Sequence, residues 1–205
     1  NKYEIEKFTI IQNGGNVGSA LVQCQEYHDI AISDEFISWG WSNNLEKVKN
    51  LGSSKIIKIK KKYKYLSNKK KTEAMFVLTD GPKYNYTLVS QAHGPQYIDE
   101  LLKIIQIYNL IENNLRKNLI FRLNLKNFGW NIKDKIEKTD PKIRFDKEIN
   151  FYKSISNKKL LIFNYNGTSF LEALSLNIPS IIILDENIWQ IRESEQKYFN
   201  LLKEV

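Results

Sequence analysis

Residues 163–184 read FNYNGTSFLEALSLNIPSIIIL, an apolar run, a polar knot, a helix-like segment and a second apolar run in one short span. Short apolar runs bounded by turn residues are the pattern of strands covered on both faces. The same pattern recurs upstream in AMFVL and LIF, each run followed by a segment of helical periodicity. Strands alternating with helices predict an α/β fold: a Rossmann-like parallel sheet with helices on both faces.

Working outward, KFTIIQNGG predicts a short strand ending in a Gly turn, and EFISWGW predicts a second strand. Between them, NVGSALVQCQEYHDIAISD predicts a helix with Ala20, Leu21, Cys24, Tyr27 and Ala31 on its apolar face. SKIIKIK reads as a short basic strand. YIDELLKIIQIYNLIENNLRKN reads as the longest helix, with Ile98, Leu101, Leu102, Ile105, Tyr108 and Leu115 inward. The end, NIWQIRESEQKYFNLLKEV, reads as a last helix. A boundary is expected in the basic stretch. Residues 1–68 would be the tail of one α/β lobe plus a linker, and 69–205 a Rossmann-like lobe.

The chain has 205 residues and a formal charge of +8. Much of the excess lies in KIIKIKKKYKYLSNKKK, Lys55–Lys71, which reads as a solvated linker or as a surface for polyanions or anionic lipid. No RNA-binding motif accompanies it, so no specific nucleic-acid partner is expected. The single cysteine excludes an intrachain disulfide and a Cys-based zinc site, and suits a reducing compartment. No apolar run reaches the length of a membrane span. These features suit a cytoplasmic chain, with peripheral membrane contact as an option. A start at Asn1 and an end just behind an amphipathic segment read as a fragment.

In an open α/β sheet, ligands sit beyond the carboxyl ends of the strands, where the knot Asn164–Ser169 falls. Gly167 allows close backbone approach, and Thr168 or Ser169 would cap the helix so that its N-terminus meets a phosphate. Glu172 is a candidate for a ribose hydroxyl. Ser169 and Glu172 also have the spacing of a capping box, so the knot has a purely structural alternative.

The segment NYNGTSFLEALSLNIPSIIILDENIWQIRESEQKYFNLLKEV resembles the C-terminal part of GT-B glycosyltransferases. The resemblance is to bacterial surface-carbohydrate transferases with an N-[ST]-T-x-x-L-E-x-L-A-x-N-x-P-T pattern. Asn166, Leu171, Glu172, Leu174, Asn177, Pro179, Trp189, Arg192, Tyr198, Phe199 and Leu202 match it, and Gly167 stands where a small hydroxyl residue is usual. The family's Q-H-G-G-x-Y-G, E-x-H-E and W-G-W segments correspond in order to Gln12–Gly18, Glu26–Asp29 and Trp39–Trp41. Asn13 stands in place of the His, and Val17 in place of an aromatic residue.

The resemblance implies transfer of a sugar from a nucleotide-activated donor to a cell-surface polysaccharide or lipopolysaccharide acceptor. It implies no bound metal and no cofactor beyond the nucleotide-sugar substrate. This chain would supply mainly the donor lobe. Candidate donor- and phosphate-binding residues are Asn13, Gly14, Gly15, His93, Arg122, Asn166, Gly167, Thr168, Ser169 and Glu172. Glu26 or His28 would be the base near the acceptor, with Glu26 preferred. Trp39 and Trp41, two apart on a strand, would share a face and pack rather than bind sugar. A degenerate, non-catalytic remnant and a basic binding module remain as alternatives.

Overall fold

A computed structural model describes residues 7–63, 71–84 and 87–203. The first unit is a parallel sheet of β1 (Thr9–Ile11), β2 (Glu35–Ser38) and β3 (Val48–Asn50), in that order, with α1 (Cys24–Ile32) between β1 and β2. Helix α2 (Ser54–Tyr63) follows. The second unit comprises β4 (Glu73–Val77), α3 (Gln96–Leu110), α4 (Asn113–Arg116), β5 (Leu119–Arg122), α5 (Ile132–Thr139) and β6 (Arg144–Phe145). It continues with α6 (Phe151–Ile155), β7 (Lys158–Phe163), α7 (Thr168–Ser175), β8 (Ser180–Ile182) and α8 (Glu193–Leu201).

The second sheet runs β6-β5-β4-β7-β8, every pair parallel. Its first strand lies in the middle, and the chain adds strands to one side and then to the other. That reversal creates a switch point between the carboxyl ends of β4 and β7. The strand sequence explains the two covered faces. Met75 and Val77 point into a core with Phe163, Phe170, Ala173 and Ile155, while Phe76 and Leu78 point into one with Leu101, Ile104, Phe121 and Ile136. Phe76 and Phe121 stack at 4.9 Å. Each such fully buried phenyl ring contributes roughly 1.5–3 kcal/mol. The Rossmann-like expectation holds.

Several local expectations do not. The first helix begins only at Cys24, because Asn16–Gln23 are used in turns and in isolated bridges, Ala20 to Ile191 and Gln23 to Val89. Its inward face is Glu26 and Ile30; Cys24, Leu21 and Tyr27 are exposed. SKIIKIK is helical. Ser53 Oγ accepts the Ile56 N–H at the start of the helix, and Ile59 and Tyr63 pack on Tyr152 and Leu176. Strand β2 stops at Ser38 because Gly40, at φ +122°, turns the chain, so Trp41 enters the core while Trp39 is half-buried. The long helix ends at Leu110, leaving Leu115 exposed in α4 and Ile104, rather than Leu102, inward. The last helix starts at Glu193. The expected boundary at 68/69 falls outside the described residues. No described helix is long and apolar enough to cross a membrane.

Candidate functional site

Two loops meet at the switch point. After β7 the knot crosses the sheet edge and enters α7, whose cap is Gly167 rather than Thr168 or Ser169. The first intrahelical bonds run from the Phe170 and Leu171 amides to the Gly167 carbonyl, so the Thr168 and Ser169 amides have no acceptor within the helix. A Cβ on Gly167 would lie 2.8 Å from the Tyr165 ring, so glycine permits that ring to fold over the helix start. Burial raises the Tyr165 pKa, and its hydroxyl bonds Ser169. Asn164 Oδ1 accepts the Thr79 N–H at 3.1 Å, tying the end of β7 to the end of β4.

The second loop comes from the first sheet. Buried Gln12 donates through Nε2 to the carbonyls of Gly14 and Val17, at 2.7 and 3.0 Å. Its Oε1 accepts the Trp39 N–H and the Trp41 indole N–H, at 2.7 and 2.8 Å. The Gln12–Gly18 loop and the Trp-Gly-Trp turn are therefore one pinned unit. Gly18 leaves no room for a side chain, since a Cβ would fall 2.0 Å from the Trp41 indole.

The loops touch directly. Gly15 donates its N–H to Thr168 Oγ1 at 3.0 Å, and Asn166 Nδ2 donates to Ser19 Oγ at 3.0 Å. A Cβ on Gly15 would lie 2.6 Å from the Thr168 nitrogen. Around this junction is a cavity of about 190 Å³ lined by Gly14, Gly15, Asn166, Gly167 and Thr168, with Asn16, Thr79, Gln91, Tyr97, Tyr165 and Trp189. It is smaller than a cleft of ~300–1,000 Å³ that holds a whole ligand.

The structure thus brings together Gly14, Gly15, Asn166, Gly167, Thr168 and, one residue on, Ser169. It separates the others. Asn13 is exposed and outside the cavity lining. His28 is exposed on the outer side of α1. Glu26 is buried: its carboxylate accepts the Gly18 N–H at 2.7 Å and meets Arg192 Nη2 at 2.9 Å through both oxygens. Arg192 also bonds the Ala20 carbonyl and lies over the Trp41 ring. Glu26 is accordingly a clasp between the first sheet and the C-terminal segment.

Glu172 faces away from the cavity and forms no capping box, because the residue three past the cap Gly167 is Phe170. It pairs with Lys55 at 2.8 Å and receives the Tyr152 hydroxyl, holding α2 against α7. Arg122 pairs with Asp146, donates to the Glu148 and Ile149 carbonyls and lies over Phe151, which fastens the loop after β6. His93 holds its own loop, with Nε2 bonding the Val89 carbonyl at 2.8 Å. It lines a neighbouring cleft of about 560 Å³ that shares Gln91 with the cavity.

Sequence reasoning missed Thr79, Asp80, Tyr97 and Trp189. The turn TDG closes strand β4, and the carboxyl-end rule that singled out Asn164–Ser169 applies equally to it. Asp80 has one carboxylate oxygen buried without a hydrogen-bond partner. Burial pushes its pKa up to about 6, against hydrogen bonds from Asn124 and from its own backbone that act to lower it. Burial, reinforced by Asp80, pushes the Tyr97 hydroxyl up to about 12. Trp189 donates to Glu100 at 3.2 Å and walls the cavity.

This arrangement sets the α7 N-terminus at the cavity, and Asp80, one residue past the cavity-lining Thr79, lines the cleft beyond β5. Comparison with known families supplies the class. A family model described as LIC12162 family transferase matches residues 3–205. Comparison with curated proteins gave no match.

Proposed function

We propose that this chain, which belongs to the LIC12162 family of transferases, transfers a sugar from a nucleotide-activated donor to a surface-polysaccharide or lipopolysaccharide acceptor. The observation that carries the reading is the Gly15–Thr168 junction. A loop from one sheet closes on the helix N-terminus of the other at the switch point, leaving a cavity of phosphate size.

Here the donor's distal phosphate lies against the first-turn amides of α7, where the helix dipole and oriented N–H groups favour negative charge. The acceptor hydroxyl oxygen attacks the anomeric carbon, and the bond from that carbon to the phosphate oxygen breaks. The nucleoside mono- or diphosphate leaves, its developing charge held by the same amides. The hydroxyl proton needs an acceptor. Glu26 is occupied by Arg192 and Gly18, so Asp80, which follows the cavity-lining Thr79, carries an unpartnered carboxylate oxygen and itself lines the adjoining cleft beyond β5, takes that role. Asn13, where the transferases that the sequence resembles carry His, lies outside the cavity lining.

The test is a thermal-shift panel of UDP, GDP, CDP, CMP and dTDP sugars. A ligand that binds the native state alone raises the melting temperature by mass action. One nucleotide should stabilise the protein selectively, with the effect lost in Gly167→Val and kept in Lys55→Gln. A flat panel on folded protein would overturn the reading.

A further inference from the structure

From Lys47 to Thr72 the chain carries eleven lysines and no acidic residue. The remaining residues are net negative, so the basicity is local. Five of these lysines, Lys55, Lys58, Lys60, Lys61 and Lys62, stand on helix α2, whose orientation is settled by its contacts. Ile59 and Tyr63 are buried, Tyr63 stacks on Tyr152 at 4.5 Å, and Lys55 pairs with Glu172 of α7. At 100° per residue, Ile57 then lies nearly opposite Ile59, with Lys58, Lys60 and Lys61 around it and Lys62 at the flank. All five are exposed, Ile57 by 52%. Leu51, in the turn leading into the helix, is 69% exposed.

We propose that this outward face of α2 docks on an anionic lipid surface. Its lysines match the negative charge of such a leaflet. An isoleucine among lysines gains nothing in water. At a bilayer interface it enters the headgroup boundary while the lysine stems extend along it to keep their charges at the phosphates. A single-stranded nucleic acid would call for exposed aromatic rings on which bases stack, and the aromatic residue of this helix is turned inward against Tyr152.

The docking has a geometrical consequence. Helix α7 opens at the cavity and, one turn later, holds α2 through Glu172. A bilayer bound at α2 therefore sets the cavity at a fixed height and tilt, suited to an acceptor carried in that bilayer. This consequence rests on the proposed transfer reaction, whereas the lipid contact does not.

The experiment is co-sedimentation with phosphatidylcholine vesicles, alone or mixed with phosphatidylglycerol, over a range of salt. The protein should sediment with the mixed vesicles only, and less as salt rises. Each lysine near such a surface contributes about fivefold to the partition coefficient. A variant with Lys58, Lys60, Lys61 and Lys62 all changed to Gln should therefore bind about a hundredfold more weakly or worse, with an unchanged melting temperature. Ile57→Ser should weaken binding several-fold at unaltered salt dependence. Equal binding to both vesicle types, no binding to either, or wild-type binding by the quadruple variant would overturn the proposal. Tighter binding to a single-stranded oligonucleotide than to mixed vesicles would overturn it too. The nucleotide-sugar shift, measured on the quadruple variant, should be unchanged, so that failure of the lipid contact is read separately from failure of the donor site.

Discussion

The Gly15 N–H and Thr168 Oγ1 stand 3.0 Å apart although 153 positions separate them in the chain, and this bond closes the first sheet's loop onto the helix that leaves the second. Two elements that leave different sheets line one cavity there. The neighbouring bond from Asn166 to Ser19 repeats the connection on the same edge.

Gly15→Ala tests the closeness of that junction. The added methyl would meet backbone atoms of Gly167 and Thr168 at 2.6 to 2.8 Å, which cannot swing aside as a side-chain end can. Overpacking of this kind costs about 1–3 kcal/mol. Chemical denaturation should show a loss in that range, and the nucleotide-induced shift should vanish with it.

Glu26→Ala separates a clasp from a base. Removing one member of a buried, hydrogen-bonded ion pair leaves Arg192 uncompensated and costs roughly 3–5 kcal/mol. Stability should fall by that order in a denaturant titration, while turnover per folded molecule at low temperature should stay within severalfold of wild type. A loss of turnover by orders of magnitude at full folding would restore Glu26 to the chemistry.

How much of this was legible in the sequence differs between elements for physical reasons. The strands of the second sheet are continuous apolar runs because helices cover both faces, and Met75–Leu78 shows that directly. The K-I-I-K-I-K segment is different. Its alternation fits a strand as well as a helix, and only distant Tyr152, Leu176 and Glu172 select the helical period. Glu26 and Glu172 looked like site carboxylates because their partners lie far away in sequence, Arg192 at 166 positions from Glu26. Gly167 and Asn166 were readable because the carboxyl-end rule is local to a strand and its following helix.

Asp80 gives a pH dependence with a definite sign. Its folded pKa is raised from 3.8 to about 6, so the native state binds the proton more tightly than the unfolded chain. Its penalty is absent at pH below the unfolded value, grows as pH rises through the interval from 3.8 to about 6, and is complete above it. Melting temperature should therefore carry a component that falls over this interval. Asp80→Asn should remove that component and stabilise the protein at neutral pH, on the order of 1 kcal/mol after allowance for solvent screening. Transfer should fall at least a hundredfold in the same variant.

Glu172→Gln tests whether that residue serves the α2–α7 contact or the donor site. Weakening the pairing with Lys55 and Tyr152 should lower stability by about 1–3 kcal/mol. Affinity for the stabilising nucleotide, measured by calorimetry below the melting range, should be unchanged. A tenfold loss of affinity would return Glu172 to the donor site.

On the proposed function, one ligand is held by both loops at once. Hydrogen exchange read by mass spectrometry, with and without the nucleotide sugar that stabilises the protein, measures this directly. Slowed exchange in residues 13–18 together with residues 164–171 is the predicted result. Protection confined to residues 122–134, along the cleft beyond β5, with residues 13–18 and 164–171 unprotected, would contradict it.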